Sequence, residues 1–261
     1  DAARPDRIIE DVRAPYLVVY APPRPNGTAL LVTPGGGYAR IVLDKEGTAL
    51  VPAFVETAGI TLFVLRYRLP DRAHAEGADA PLADAQRAMR LIRAQASTYG
   101  VDPARVGVMG FSAGGHVAAS LGTRHDETVY APLDAADALS ARPAFMALVY
   151  PVITMQGEHY HPGSRLELMG DNPGEELIRR YSLEARVTRD APPAFLLHAA
   201  DDPAVKVENS LAMFTALRRV GVPVEMHLFE RGKHGFGIRD AQGLPVALWP
   251  ELMMNWIATK V

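Results

Sequence analysis

Ser112, the pair Asp201 and Asp202, and His234 are the residues of this chain whose types and order could carry out covalent chemistry. Ser112 is the centre of Gly110-Phe111-Ser112-Ala113-Gly114, a Gly-x-Ser-x-Gly pentapeptide. A serine hydroxyl is a weak nucleophile near neutral pH. It needs a base within hydrogen-bond reach, a carboxylate to orient that base, and donors for the oxyanion formed on attack. His234 lies in Arg231-Gly232-Lys233-His234-Gly235-Phe236-Gly237, where flanking glycines let the loop bring an imidazole in close. Asp201 and Asp202, in Ala199-Ala200-Asp201-Asp202-Pro203-Ala204-Val205, are the candidate acids. Either could instead cap the helix expected after them.

The oxyanion donors are expected from two backbone segments. One is the N–H of Ala113, just after the nucleophile. The other is Pro34-Gly35-Gly36-Gly37, where Gly36 and Gly37 allow a backbone approach that side chains would prevent. Triple glycine also fits a phosphate cradle. However, no Gly-Lys-Ser/Thr follows, and the glycine spacing does not match a dinucleotide fingerprint. No cofactor is expected. His159 and His161 stand two apart without a third ligand at a useful spacing, so they read as solvated loop residues and no metal is expected. His198 sits inside an apolar run and reads as a core or strand-end histidine, and His116 faces the helix behind Ser112.

The elements that must hold these residues follow from apolar patterning. Strands are expected over 16–20, 28–33, 60–65, 106–109, 145–150, 194–198 and 224–229. Helices are expected over 46–58, 81–98, 174–181, 206–219 and 246–259, with another beginning near His116. Strands and helices alternate, which predicts an α/β fold with a mostly parallel sheet flanked by helices. Ser112, the aspartates and His234 each fall just past a strand, where sites collect in such sheets. Going from strand to helix around Ser112 in so few residues forces a strained turn with the serine at its apex. A loop rich in Ala, Gly and Asp is expected over 71–80, and residues 153–192 break the rhythm with loops around one short helix, a cap-like insert or a surface excursion. No repeat or linker interrupts residues 1–261, which read as one domain.

Composition bounds the partners. The 261 residues are 48% hydrophobic and 22% charged, as expected of a globular chain with a substantial core. A net charge of −3 gives no reason to expect nucleic acid or an anionic membrane as partner. No apolar stretch reaches the roughly 18 residues of a membrane span. The absence of cysteine excludes disulfides, thiolate metal sites and a cysteine nucleophile. Compartment stays open between cytoplasm and periplasm or secretion, because the chain starts at Asp1 and a signal peptide could precede it. Oligomeric state is not legible.

Five segments together resemble the α/β-hydrolase superfamily: Pro34-Gly35-Gly36-Gly37-Tyr38, Tyr67-Arg68-Leu69-Pro70, Gly110-Phe111-Ser112-Ala113-Gly114-Gly115-His116, Ala200-Asp201-Asp202-Pro203-Ala204-Val205 and Gly232-Lys233-His234-Gly235-Phe236-Gly237. Over roughly residues 16–259 the chain is most similar to bacterial acetylesterases of the xylan-acetylesterase-like or feruloyl-esterase-like group. The resemblance implies Ser112 as nucleophile and His234 as base. It implies Asp202 as the acid, since the group's pattern is Asp-x-x-Val and Val205 follows Asp202. It implies Ala113 with Gly36 and Gly37 as the oxyanion hole. Pro34 stands where lipase-type relatives carry histidine, which bears on loop rigidity and subgroup. The implied activity is hydrolysis of short acyl esters, foremost deacetylation of small-molecule or oligosaccharide substrates. Tyr38, Arg68 and residues 153–185 are expected to contribute to the acyl and sugar pockets. An amidase, arylformamidase-like enzyme or small peptidase on the same triad is the alternative, and an inactive binding protein the remote one.

Overall fold

The computed structural model describes residues 5–70 and 74–261, so the expected loop over 71–80 lies partly outside the described residues. A short antiparallel ribbon pairs β1 (Ile8–Ile9) with a strand from the first crossover. The main sheet begins with β2 (Tyr16–Tyr20) and β3 (Ala29–Thr33), and the ribbon is completed by β4 (Ile41–Val42). It continues through β5 (Thr61–Arg66), β6 (Val106–Phe111), β7 (Met146–Val149), β8 (Ala194–Ala199) and β9 (Val224–Phe229). Its seven strands run in the order β2-β5-β3-β6-β7-β8-β9, with only β2 antiparallel to its neighbour.

That order creates the site before any side chain is placed. From β3 the chain steps to one side to form β5, then returns across to form β6 on the other flank of β3. The crossovers therefore diverge where Thr33 pairs with Gly110, leaving a crevice outside the carboxyl ends of β3 and β6. Both the triple glycine and Ser112 emerge there.

Strands β3, β5, β6, β7 and β8 are buried along their whole length, which is why they read as continuous apolar runs rather than alternating ones. One face packs against α1 (Ala80–Ala94) and α2 (Ser112–Arg124), with Val117 and Leu121 in one buried cluster with Leu31 and Val108. The insert contributes α3 (Pro162–Met169) and α4 (Glu175–Tyr181), and α5 (Glu208–Arg219) completes that side. The other face is covered by the helical segment Val51–Thr57 and by α6 (Trp249–Ala258), through Phe54, Trp249, Met253 and Trp256.

Four expectations are adjusted. The segment 46–58 is helical but wound wide, with Ala58 N–H reaching back five residues to Ala53 O. Helix α2 starts at Ser112 itself rather than near His116. The insert carries two helices, not one; α3 is opened by His161, whose Nδ1 accepts from Ser164 N–H, a cap outside the usual Ser, Thr, Asp and Asn set. Neither aspartate caps α5, whose N-cap is Val207.

Candidate active site

Ser112 has φ 53°, a left-handed conformation that a residue with a Cβ adopts only under tertiary constraint. Its neighbours make the turn possible. A Cβ on Gly110 would lie 2.3 Å from Gly114 O, and one on Gly114 would lie 2.1 Å from Thr33 O. Thr33 Oγ1 donates to Gly114 O at 2.8 Å, fastening the turn to the end of β3.

A continuous hydrogen-bonded chain runs from this turn. Ser112 Oγ lies 2.8 Å from His234 Nε2, and His234 Nδ1 lies 2.7 Å from Asp202 Oδ2. A carboxylate only accepts, so Nδ1 carries the proton and Nε2 presents its lone pair to the serine hydroxyl. Asp202 Oδ1 accepts from Ala204 N and Val205 N, both at 2.9 Å, which aims Oδ2 at the imidazole. Burial pushes the Asp202 carboxyl up, but hydrogen bonds from His198 and His234 outweigh it and hold the group well below the usual carboxylate range.

The adjacent acid has a different place. Asp201 Oδ1 accepts from Gly232 N at 2.8 Å and Lys233 N at 2.7 Å, and so shapes the loop that delivers His234.

Gly36 and Gly37 line the same cleft as Ser112 and His234, with φ of 134° and 69°. A Cβ on Gly36 would lie 2.1 Å from Arg40 O, so only glycine fits. Gly35 N–H points elsewhere, donating to Glu46 Oε2 at 2.7 Å. Ala113 sits in the first turn of α2, where backbone N–H groups have no intrahelical acceptor and the helix dipole favours negative charge.

Two expected pocket residues are elsewhere. Tyr38 is buried, and its hydroxyl pairs with His116 Nδ1 at 2.7 Å. His116 Nε2 donates to Tyr181 O at 2.8 Å, so Nδ1 is the acceptor of the tyrosine proton. Burial pushes the His116 imidazole down to about 4. Arg68 is held by Glu76 at 2.9 Å and by the buried Asp84 at 2.8 Å on α1, and it does not line the cleft. Its charge is spent on a structural ion pair.

Other residues take their places. Arg40, Val42, Lys45, Glu46, His161 and Ala204 complete a cleft of about 270 Å³ around Ser112 and His234. His161 comes from the insert, within the 153–185 stretch expected to contribute to the pocket, although by itself it read as a loop histidine. His198 stands behind Asp202, with Nε2 3.2 Å from Oδ2. No group of three His, Cys, Asp or Glu able to hold a metal ion occurs among the described residues.

A mostly parallel sheet, a strained serine at the turn from β6 into α2, and an acid and histidine on the loops after β8 and β9 define an α/β-hydrolase. Comparison with known proteins narrows this: the BD-FAE family profile matches residues 17–217, and the chain belongs to that family. It is 38% identical over 211 residues to endo-1,4-β-xylanase B of Butyrivibrio fibrisolvens, covering 81% of this chain and 33% of that protein. It is 33% identical over 227 residues to the acetylxylan esterase of Xylanibacter ruminicola, covering 85% of this chain and 43% of that one. The chain thus spans well under half the length of these curated relatives. Among solved structures, the acetyl ester-xyloside bifunctional hydrolase of Caldicellulosiruptor lactoaceticus is 37% identical with a TM-score of 0.81, covering 99% of this chain and 90% of that one.

Proposed function

We propose that the chain is a serine esterase that removes short acyl groups, acetyl foremost, from carbohydrates, with Ser112 as nucleophile, His234 as general base and Asp202 as its orienting acid. The observation that carries this reading is the unbroken chain of hydrogen bonds from Ser112 Oγ through His234 to Asp202. Ser112 Oγ attacks the ester carbonyl carbon as its proton moves to His234 Nε2. The carbonyl oxygen becomes an oxyanion held by the N–H groups of Ala113 and of Gly36 or Gly37. Asp202 stabilises the imidazolium, which then gives its proton to the leaving alcohol oxygen as the C–O bond breaks. Water attacks the acyl-enzyme by the same route, releasing the acid and restoring Ser112.

The substrate class rests on the cleft and on the relatives. About 270 Å³ suits a small acyl group rather than a long chain. Arg40 and His161 bring donors to its rim, as an oxygen-rich alcohol requires. The names of the two relatives that include acetylxylan and acetyl ester-xyloside point to acetylated xylan fragments.

The test is hydrolysis of p-nitrophenyl esters from acetate to octanoate by the wild type and Ser112→Ala, with acetate release from acetylated xylan. Turnover that falls beyond propionate, is abolished in the variant and extends to the polysaccharide supports the reading. Wild-type rates in Ser112→Ala refute it.

A further inference from the structure

Glu46 is a carboxylate that lines the cleft and is only 2% exposed. Removing an ionised carboxylate from water costs several kcal/mol unless its oxygens are matched to donors. Here both are matched. Oε2 accepts from Gly35 N at 2.7 Å, and Oε1 accepts from Tyr150 Oη at 3.0 Å. The same tyrosine oxygen accepts from Gly237 N at 3.1 Å. The ionised form is the one that satisfies this set. A protonated Glu46 would have to donate to Tyr150 Oη and would leave the tyrosine proton without an acceptor.

These bonds join the glycine loop, the residue after β7 and the histidine loop. Gly35 opens the glycine loop after β3, and a Cβ there would lie 2.8 Å from Glu46 Oε2 and 2.9 Å from Ser112 Cβ. Tyr150 directly follows β7 and is held at φ 37°, a strained position for an aromatic residue. Its ring meets the His234 ring edge-on at 5.1 Å and the Phe236 ring at 4.7 Å. Gly237 closes the histidine loop, its carbonyl taken by Trp249 Nε1 at 2.7 Å. Glu46 touches both sides: the backbone beside the oxyanion donors, and the tyrosine on which the base rests.

We propose that Glu46 is a positioning residue that clamps the Gly35–Gly37 loop to the His234 loop through Tyr150, so that oxyanion donors and base keep one relative geometry. Rate is sensitive to such placement, since oxyanion donors and base act together in the same transition state. The inference rests on the esterase reading above. A clamp acts on kcat, because it sets the relative position of oxyanion donors and base, which act together in the transition state.

The experiment is steady-state hydrolysis of p-nitrophenyl acetate by the wild type, Glu46→Ala, Glu46→Gln, Tyr150→Phe and the Glu46→Ala/Tyr150→Phe double variant, with folding checked by circular dichroism. Glu46→Ala should lower kcat by about 100-fold, as loss of an oxyanion donor does, with KM within about threefold. Glutamine can accept from Gly35 N and donate to Tyr150 Oη but leaves the tyrosine proton without an acceptor, so Glu46→Gln should fall between wild type and Glu46→Ala. Tyr150→Phe should cost about tenfold in kcat. The double variant should be no slower than Glu46→Ala, because both changes break one clamp. A folded Glu46→Ala with kcat within threefold of wild type overturns the proposal, and so do independent, multiplying losses in the double variant. If Glu46→Ala does not fold, Tyr150→Phe decides: undiminished kcat overturns the clamp. Wild type that turns over no ester would instead remove the esterase reading itself.

Discussion

His198 Nε2 stands 3.2 Å from Asp202 Oδ2, the oxygen that also faces His234 Nδ1 at 2.7 Å. Both His198 and Asp202 have wholly buried side chains. His198 Nε2 also reaches Val205 O at 3.0 Å, and a carbonyl only accepts, so that nitrogen carries the proton. Ser210 Oγ lies 2.8 Å from Nδ1 and completes the ring's hydrogen bonds. The result is an N–H donor locked behind the carboxylate, helping to keep it ionised and aimed. His198→Leu should lower kcat on p-nitrophenyl acetate about tenfold and reduce stability by roughly 1–3 kcal/mol, since Ser210 and Val205 O lose their partner. Urea unfolding beside steady-state kinetics measures both. Unchanged kcat in a folded variant would show that His198 merely fills the core.

The Tyr38–His116 pair predicts an acid limb of stability. The folded imidazole titrates near 4 rather than its usual 6.5. Between those values the unfolded chain binds the proton and the folded one does not, so stability falls as pH falls. The contribution is intact above about pH 6.5, is lost progressively down to about pH 4, and amounts to roughly 3 kcal/mol at about 1.4 kcal/mol per unit. Urea unfolding at pH 7 and pH 5 should show the loss, and His116→Gln should flatten it. Tyr38→Phe should cost roughly 1–2 kcal/mol by leaving Nδ1 unpaired, with KM for esters unchanged.

How much of this was legible depended on the range of the interactions. The strands were readable because burial on both faces writes continuous apolar runs, as in Ala29–Thr33 and Ala194–Ala199. Ser112 and His234 were readable because their turns demand glycine at fixed offsets. Asp201 and Asp202 were not separable from spacing, since the difference lies in which backbone N–H groups each accepts from. Tyr38 was misjudged and Glu46 missed for one reason. Their roles depend on partners far along the chain: Glu46 on Tyr150, Tyr38 on His116. Pattern along the chain does not report which side chains meet across it.

Arg68 illustrates the consequence for stability. It donates to Asp84, whose side chain is only 4% exposed and whose carboxyl is pushed up by burial despite the guanidinium. Arg68→Met removes the partner and leaves a buried acid uncompensated, which typically costs about 3–5 kcal/mol. Thermal melts should show a large loss, while kcat/KM for p-nitrophenyl acetate measured well below the melt should match wild type. A selective rise in KM would return Arg68 to the substrate pocket.

The rim of the cleft predicts a split between sugar esters and simple ones. His161 Nδ1 is occupied by Ser164 N–H at 3.0 Å, so in the neutral ring the remaining proton sits on Nε2, on a residue that lines the cleft. Burial pushes the His161 imidazole down, which keeps the ring neutral near pH 7 and this tautomer in place. Arg40 contributes a guanidinium from the glycine loop itself, its backbone N–H bonded to Gly36 O at 3.2 Å. Both are donors, and a sugar presents hydroxyl and ring oxygens to accept from them, whereas p-nitrophenol does not reproduce that pattern. His161→Asn preserves a good helix cap while shortening the donor's reach. This variant and Arg40→Gln should each lower kcat/KM on acetylated xylo-oligosaccharides by about tenfold, mainly through KM, and by less than about twofold on p-nitrophenyl acetate. Equal losses on both substrates would mean that these residues act on the reacting ester rather than on the sugar, because a contact made only to the alcohol portion has nothing to hold in the simple ester.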